Sequence, residues 1–284
     1  MARETFSEDI PGDFASKFNK WSYQFQHRLT NNPLFELPRL IELSRNFSGK
    51  QYYDAGEAKP HDRWDQMPSR NLSVEEVLRQ IESAKAWFFI RIIDEDPEYA
   101  AVLNECLAEA EDLAGYKFRE GMKQQEMIIF VTSPKRVTTY HIDRECSFLM
   151  QVRGSKTIHI FDGNDREVLP EQEIEHFWTV DHNAPKYRKE LQHRATSYSL
   201  TPGMAVHIPV NFPHWLENDD NVSISVNINV QFAESKLANV YRANHFLRRL
   251  GLDPRPPRQS PLVDTCKSMA MSPVLAGKRL ASRG

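Results

Sequence analysis

The stretch VSISVNINVQF, Val222 to Phe232, reads as a strand before anything else is known. Val222, Ile224, Val226, Ile228 and Val230 alternate with Ser223, Ser225, Asn227, Asn229 and Gln231. A period of two puts the apolar and polar sets on opposite faces of an extended chain. The polar face is unbroken, which fits either a solvated sheet surface or the wall of a wet cavity. The same texture begins near Glu126, in MIIFVTS, SFLMQV, KTIHIF, TSYSL and MAVHIP, short runs rich in β-branched and aromatic residues and divided by turn residues. Gly154-Ser155 between two of them reads as a hairpin turn. So many short strands in one block predict a mainly β fold, an antiparallel barrel or double-sheet jelly roll with flanking helices. The polar stretch from Asp162 to Arg194 is long for a connection in a compact domain, which marks it as a functional cover. A helix is expected in it from Pro170, with Glu175, His176, Phe177, Trp178 and Tyr187 facing either substrate or solvent.

The flanks carry helical signals. Residues 1–120 read mostly as a helical region packing on the core, and Phe14, Phe18, Trp21 and Phe25 recur at helical spacing. Ser73-Val74-Glu75-Glu76 is a capping-box start, AWFFIRII (Ala86 to Ile93) a buried strand, and Asp96-Pro97 opens a helix that Gly115 ends. Residues 121–255 form the core and a C-terminal helix, Glu234 to Leu250, closed by Gly251; residues 256–284 read as a flexible tail. A net charge of -3 gives no basic field for nucleic acid or an anionic membrane. No run approaches the ~20 apolar residues that span a bilayer, and the first twenty residues carry no signal-peptide pattern. Cys106, Cys146 and Cys266, odd in number and without a C-x-x-C pair, read as free thiols in a reducing compartment, so a cytoplasmic location is expected.

Chemistry concentrates in the strand block. In TTYHIDREC, His141 and Asp143 stand two apart, so an extended chain would aim both the same way; alone, such a triplet also fits two polar residues facing water. HIPVNFPHWLEN adds His207, within a strand and best read as a satisfied core or surface histidine, and His214, which follows a proline where a side chain can enter a barrel mouth. Two imidazoles and a carboxylate form the facial set that binds ferrous iron and leaves positions open; zinc is the competing metal. Lys156 shares the apolar face of KTIHIF with Ile158 and Ile160. There it either needs an anion or begins the strand and snorkels to water.

TTYHIDRECSFLMQVRGSKTIHIFD followed by LTPGMAVHIPVNFPHWLENDDNVSISVN resembles the cupin-like branch of the JmjC-type oxygenases, which use iron and 2-oxoglutarate. That family includes the asparaginyl hydroxylase that inhibits hypoxia-inducible factor. The resemblance runs from about Ile128 to Phe232 and joins H-x-D, a lysine after a glycine turn, P-x-x-x-P-H and a closing S-x-N strand in order. It implies a double-stranded β-helix, with His141, Asp143 and His214 as iron(II) ligands. It also implies Lys156 and Thr138 on the distal carboxylate of 2-oxoglutarate, Asn227 near the cosubstrate, and Ser147 where many relatives carry asparagine. The family's upstream tyrosine has no counterpart; Trp87 or Phe89 stands in that region. The implied activity is hydroxylation of a C–H bond, in a protein side chain or a small metabolite, and the implied assembly is a homodimer through the C-terminal helix. The alternative is a cupin that binds a ligand without catalysis or without a 2-oxoacid.

Overall fold

Alternation along each strand decides which side chains face the centre. In the computed structural model, which describes residues 4–7, 10, 12–46, 50–69, 71–92, 95–232 and 236–281 (side chains to 271), the strands form two antiparallel sheets. They are β1 (Tyr23–Gln26), β2 (Gln51–Ala55), β3 (Ala86–Ile92), β4 (Met122–Thr132), β5 (Val137–His141), β6 (Cys146–Arg153), β7 (Lys156–Ile160), β8 (Thr196–Leu200), β9 (Met204–Ile208), β10 (His214–Asn218) and β11 (Ser223–Phe232). One sheet has seven strands in the order β1-β9-β6-β11-β4-β3-β2, the other four in the order β5-β10-β7-β8. The helices are α1 (Phe14–Lys17), α2 (Leu37–Asn46), α3 (Val74–Arg79), α4 (Pro97–Ala114), α5 (Glu171–Thr179), α6 (Lys236–Arg249) and α7 (Pro261–Ala281).

The central strand β11 shows how the layers arise. Its Ile224, Val226, Ile228 and Val230 are fully buried in the main core, with Phe6, Phe14, Phe18, Phe25 and Phe148 from β6 and the N-terminal segments, and Leu103 and Leu107 from α4. Each such aromatic or aliphatic side chain contributes roughly 1.5–3 kcal/mol by leaving water. Ser225, Asn227 and Asn229 point the other way, between the sheets, and line a cavity of about 480 Å³. Of the two readings of the polar face, the cavity wall is the one the fold adopts.

Several local expectations hold. The Ser73 hydroxyl accepts from the Glu76 N–H, whose carboxylate accepts from the Ser73 N–H at 2.8 Å. Asp96 caps α4 ahead of Pro97, and Gly115 closes it in the left-handed region at φ 75°. Pro170 precedes α5, and Gly251 follows α6 at φ 79°. Ile93, Glu234 and the chain beyond residue 281 lie outside the described residues.

Four expectations need correction. Phe14, Phe18, Trp21 and Phe25 do not share a helix: α1 is one turn, Asn19 at φ 52° breaks it, and the chain enters β1. There the period becomes two, so Tyr23 and Phe25 are buried while Trp21 is 54% exposed. Residues before 121 carry α1 to α4 as expected but also supply β1, β2 and β3 to the seven-stranded sheet, so the segment builds part of the core as well as packing on it. Gly154-Ser155 is not a hairpin turn, because β6 and β7 belong to different sheets and the turn is a corner between them. Finally, the segment read as a flexible tail carries α7, which packs on α6, with Lys236 Nζ donating to Thr265 Oγ1 at 2.5 Å. Its start signal, Pro261, is hidden behind the prolines of DPRPP.

Candidate metal centre

His141 ends β5 and His214 begins β10, and the two residues are direct partners across the antiparallel pair. Their rings lie 4.2 Å apart between centroids. Asp143 follows β5 by two residues, and its Oδ2 lies 3.8 Å from His141 Nε2 and 3.6 Å from His214 Nε2. Both separations exceed hydrogen-bond length, so the three donors surround a gap rather than satisfy one another. One ligand atom from each of the three lies within 4.8 Å of the others.

The donor set fits a divalent metal ion on a further observation. His141 Nδ1 is 2.7 Å from the Thr139 carbonyl and His214 Nδ1 is 3.0 Å from the Phe212 carbonyl. A carbonyl only accepts, so each Nδ1 carries the proton and each Nε2 turns its lone pair to the gap. Burial, with His141 alongside, holds the His214 imidazole neutral by pushing its pKa down to about 4. His207 is different: its Nδ1 faces the Ser147 carbonyl and its Nε2 accepts from the Asn19 N–H at 2.9 Å, which leaves no lone pair for a metal.

The other singled-out residues divide by position. Lys156 is 4% exposed on the inner face of β7, and its Nζ donates to Ser225 Oγ across the cavity at 2.9 Å. It does not snorkel. Burial alone pushes its pKa down to about 7, and no carboxylate among the described residues counters it. Thr138 lines the same cavity although it precedes His141 by an odd number of residues. Thr138 pairs with Leu216 and His141 with His214, so β5 carries an extra residue between them. That bulge returns both side chains to the inner face. Asn227 is on the wall; its Nδ2 donates to Asn229 Oδ1 at 2.8 Å, Asn229 Nδ2 donates to Glu126 Oε1 at 3.1 Å, and Asn227 Oδ1 is buried without a partner. Ser147 pairs with Asn229 and so shares its inward face, but it does not line the cavity, and its Oγ is buried and unpartnered.

On the same cavity's wall as His141, Asp143 and His214, β3 and β4 present Trp87, Phe89 and Phe130, with centroids 5.3 to 6.2 Å apart. Of the five residues singled out in the insertion, Phe177 reaches the cavity, accompanied by His182, while Glu175 is buried against Arg248 and Trp178 donates to Asn211 Oδ1. Sequence reasoning missed the buried Asp54–Arg136 ion pair on the cavity wall and the half-buried Glu145, whose carboxyl burial and Asp143 push up to about 7. No local pattern announces a pair 82 residues apart.

Comparison with known proteins agrees with this architecture. Over 135 residues, 43% of the chain, it is 29% identical to human HSPB1-associated protein 1 and 28% identical to the rat protein. The match spans just over a quarter of those relatives, 27% and 28% of their lengths. The crystal structure of Escherichia coli ribosomal oxygenase YcfD superposes on 96% of this chain and 68% of its own at a TM-score of 0.50 with 14% identity, which is a likeness of fold. The model of the cupin-like domain matches residues 51–232, more than half of the 284. A two-sheet β core with a His, Asp and His gathered between the sheets, matched over that length, makes the chain a member of the cupin-like domain family.

Proposed function

We propose that the protein is an iron(II)- and 2-oxoglutarate-dependent oxygenase that hydroxylates a C–H bond of a protein side chain or small metabolite. The overall change is 2-oxoglutarate, dioxygen and R–H to succinate, carbon dioxide and R–OH. One oxygen atom enters succinate and the other the product. The observation that carries this reading is Lys156, a buried ammonium without a carboxylate, in the same cavity as the His141, Asp143 and His214 donors. A site that holds only a metal needs no such lysine, whereas a dicarboxylate reaching from the metal needs an anchor of that charge.

Ferrous iron supplies the oxygen chemistry when bound; the chain's residues hold, orient and shield. His141, Asp143 and His214 would hold the ion on one side. Lys156 and the Thr138 hydroxyl would fix the distal carboxylate, and the unpartnered Asn227 Oδ1 faces the same space. Trp87, Phe89 and Phe130 keep the opposite wall apolar, so water has few partners there.

Asp143→Ala tests the reading. It is expected to abolish Mn(II) binding followed by electron paramagnetic resonance, together with 2-oxoglutarate-dependent succinate release in the presence of ferrous iron. The melting temperature should hardly change, since the Asp143 side chain is 34% exposed. Retained metal binding in a folded variant contradicts the assignment.

A further inference from the structure

At the closed end of the cavity, polar side chains join the two sheets. Asn218 Nδ2 donates to Thr132 Oγ1 at 2.7 Å and to the Ser133 carbonyl at 2.8 Å. Lys156 reaches Ser225, and Arg136 bonds the Asp54 carboxylate and, through Nη1, the Gly56 carbonyl at 2.9 Å. Arg136, Asn218 and Lys156 belong to one row across the four-stranded sheet. Asn218 pairs with Lys156, and its N–H donates to the Arg136 carbonyl at 3.0 Å. All three are buried, at 5%, 8% and 4% exposure. The row therefore carries two cations, and Asp54 neutralises one of them.

An arginine that served only to close the sheets would use its whole fork. Here Nε–H is buried and finds no acceptor, on a residue that lines the same cavity as Lys156 and Thr138. A buried donor left unpaired is costly, and a ligand that supplies the acceptor removes that cost.

We propose that Arg136 is a second cation of the pocket for the distal carboxylate of the 2-oxoacid, held in place by Asp54 and acting together with Lys156. The inference rests on the oxygenase reading above. Asp54 then does two things: it orients the guanidinium, and it sets how much of that positive charge the ligand feels. Replacing it with asparagine keeps an acceptor of the same shape and removes the opposing charge.

The test is calorimetric titration of 2-oxoglutarate into full-length, Mn(II)-loaded protein. Lys156→Ala, as the control for the pocket itself, is expected to abolish measurable binding. Arg136→Met should raise Kd by about tenfold or more, the loss of one charge-assisted hydrogen bond. Asp54→Asn should lower Kd severalfold even though it lowers Tm. A pair that merely ties the sheets together would lower Tm in both variants without tightening binding in either. Unchanged Kd in Arg136→Met, or unchanged or weaker binding in Asp54→Asn, overturns the proposal. Should Arg136→Met fail to fold, Asp54→Asn decides alone. If Lys156→Ala also binds normally, it is the 2-oxoacid reading that falls, whereas normal binding in the other two variants alone sinks only the role of Arg136.

Discussion

Lys156 sets the pH behaviour of the site. Its ammonium is buried against Ser225, and desolvation brings its pKa from the ordinary lysine range to about 7. A carboxylate binds the charged form, so ligand binding and protonation are coupled. Below about pH 7 the lysine is already charged and the Kd for 2-oxoglutarate should be flat. Above it, the free protein must take up a proton to bind, and Kd should rise about tenfold per pH unit until the raised pKa of the complex is reached. Asp54, pushed up to about 6 by its own burial, titrates at the lower edge of that window, and Glu145, on the same cavity wall and pushed up to about 7, titrates within it. Titrations from about pH 6 to about pH 9 check the slope, and a flat profile contradicts a buried lysine anchor. Lys156→Arg, which stays charged throughout, should remove the lysine's part of the slope whatever it does to the affinity.

Corners and bulges decide which residues of each strand meet. Gly154 stands where the chain leaves β6 in one sheet for β7 in the other, at φ 70°, and a Cβ there would lie 2.2 Å from the Val222 carbonyl oxygen. Gly154→Ala should therefore lower stability by roughly 2 kcal/mol or more in urea titration, through a strained left-handed residue and a backbone clash. Gly121→Ala, where nothing lies within 4 Å, should be close to neutral and serves as the control. The same two features mark where the sequence stopped being legible. Alternation put Lys156 on the apolar face of its strand, gathered the β11 polar row on one face and aimed His141 and Asp143 the same way, because these follow from a period of two; it left cavity and solvent open for each, and the set of three with His214 came from the family resemblance. Alternation alone puts Thr138 and His141 on opposite faces; the bulge that reunites them is set by pairing with Leu216 and His214, which no local pattern encodes. The aromatic spacing of Phe14 to Phe25 failed for the converse reason. Phe14, Phe18 and Phe25 converge on one core from a helical turn and a strand as well as they would from a helix, and the exposed Trp21 shows where the helical period ends. The Asp54–Arg136 pair joins β2 to the start of β5 and becomes visible only once the sheets face each other.

Across the whole molecule, two segments far apart in sequence meet over the cavity mouth. Trp64 and Met67, in the segment between β2 and α3, and Phe177 and His182, in the insertion between β7 and β8, all line the cavity. Arg63 ties these segments with a two-pronged bond to Asp181, at 2.9 and 3.0 Å. Both partners are about a third exposed, so the link contributes little to global stability. Its effect should be local: Arg63→Ala is expected to speed limited proteolysis within residues 56–69 while leaving Tm and the Kd for 2-oxoglutarate at the closed end unchanged. Unaltered cleavage would mean that the rim is held by other contacts. Among the described residues, no helix is long and apolar enough to cross a membrane. The molecule as a whole is a β shell, packed by helices on the outside, whose partly polar and partly apolar interior puts two imidazoles and a carboxylate in one cavity with a buried lysine that has no carboxylate partner. The most direct test is an anomalous difference map from crystals soaked anaerobically with ferrous iron and 2-oxoglutarate. The expected result is one iron peak bound by His141 Nε2, His214 Nε2 and the Asp143 carboxylate, with the far carboxylate of the 2-oxoacid on Lys156 Nζ. A peak elsewhere, or a 2-oxoacid whose distal end avoids Lys156, contradicts it.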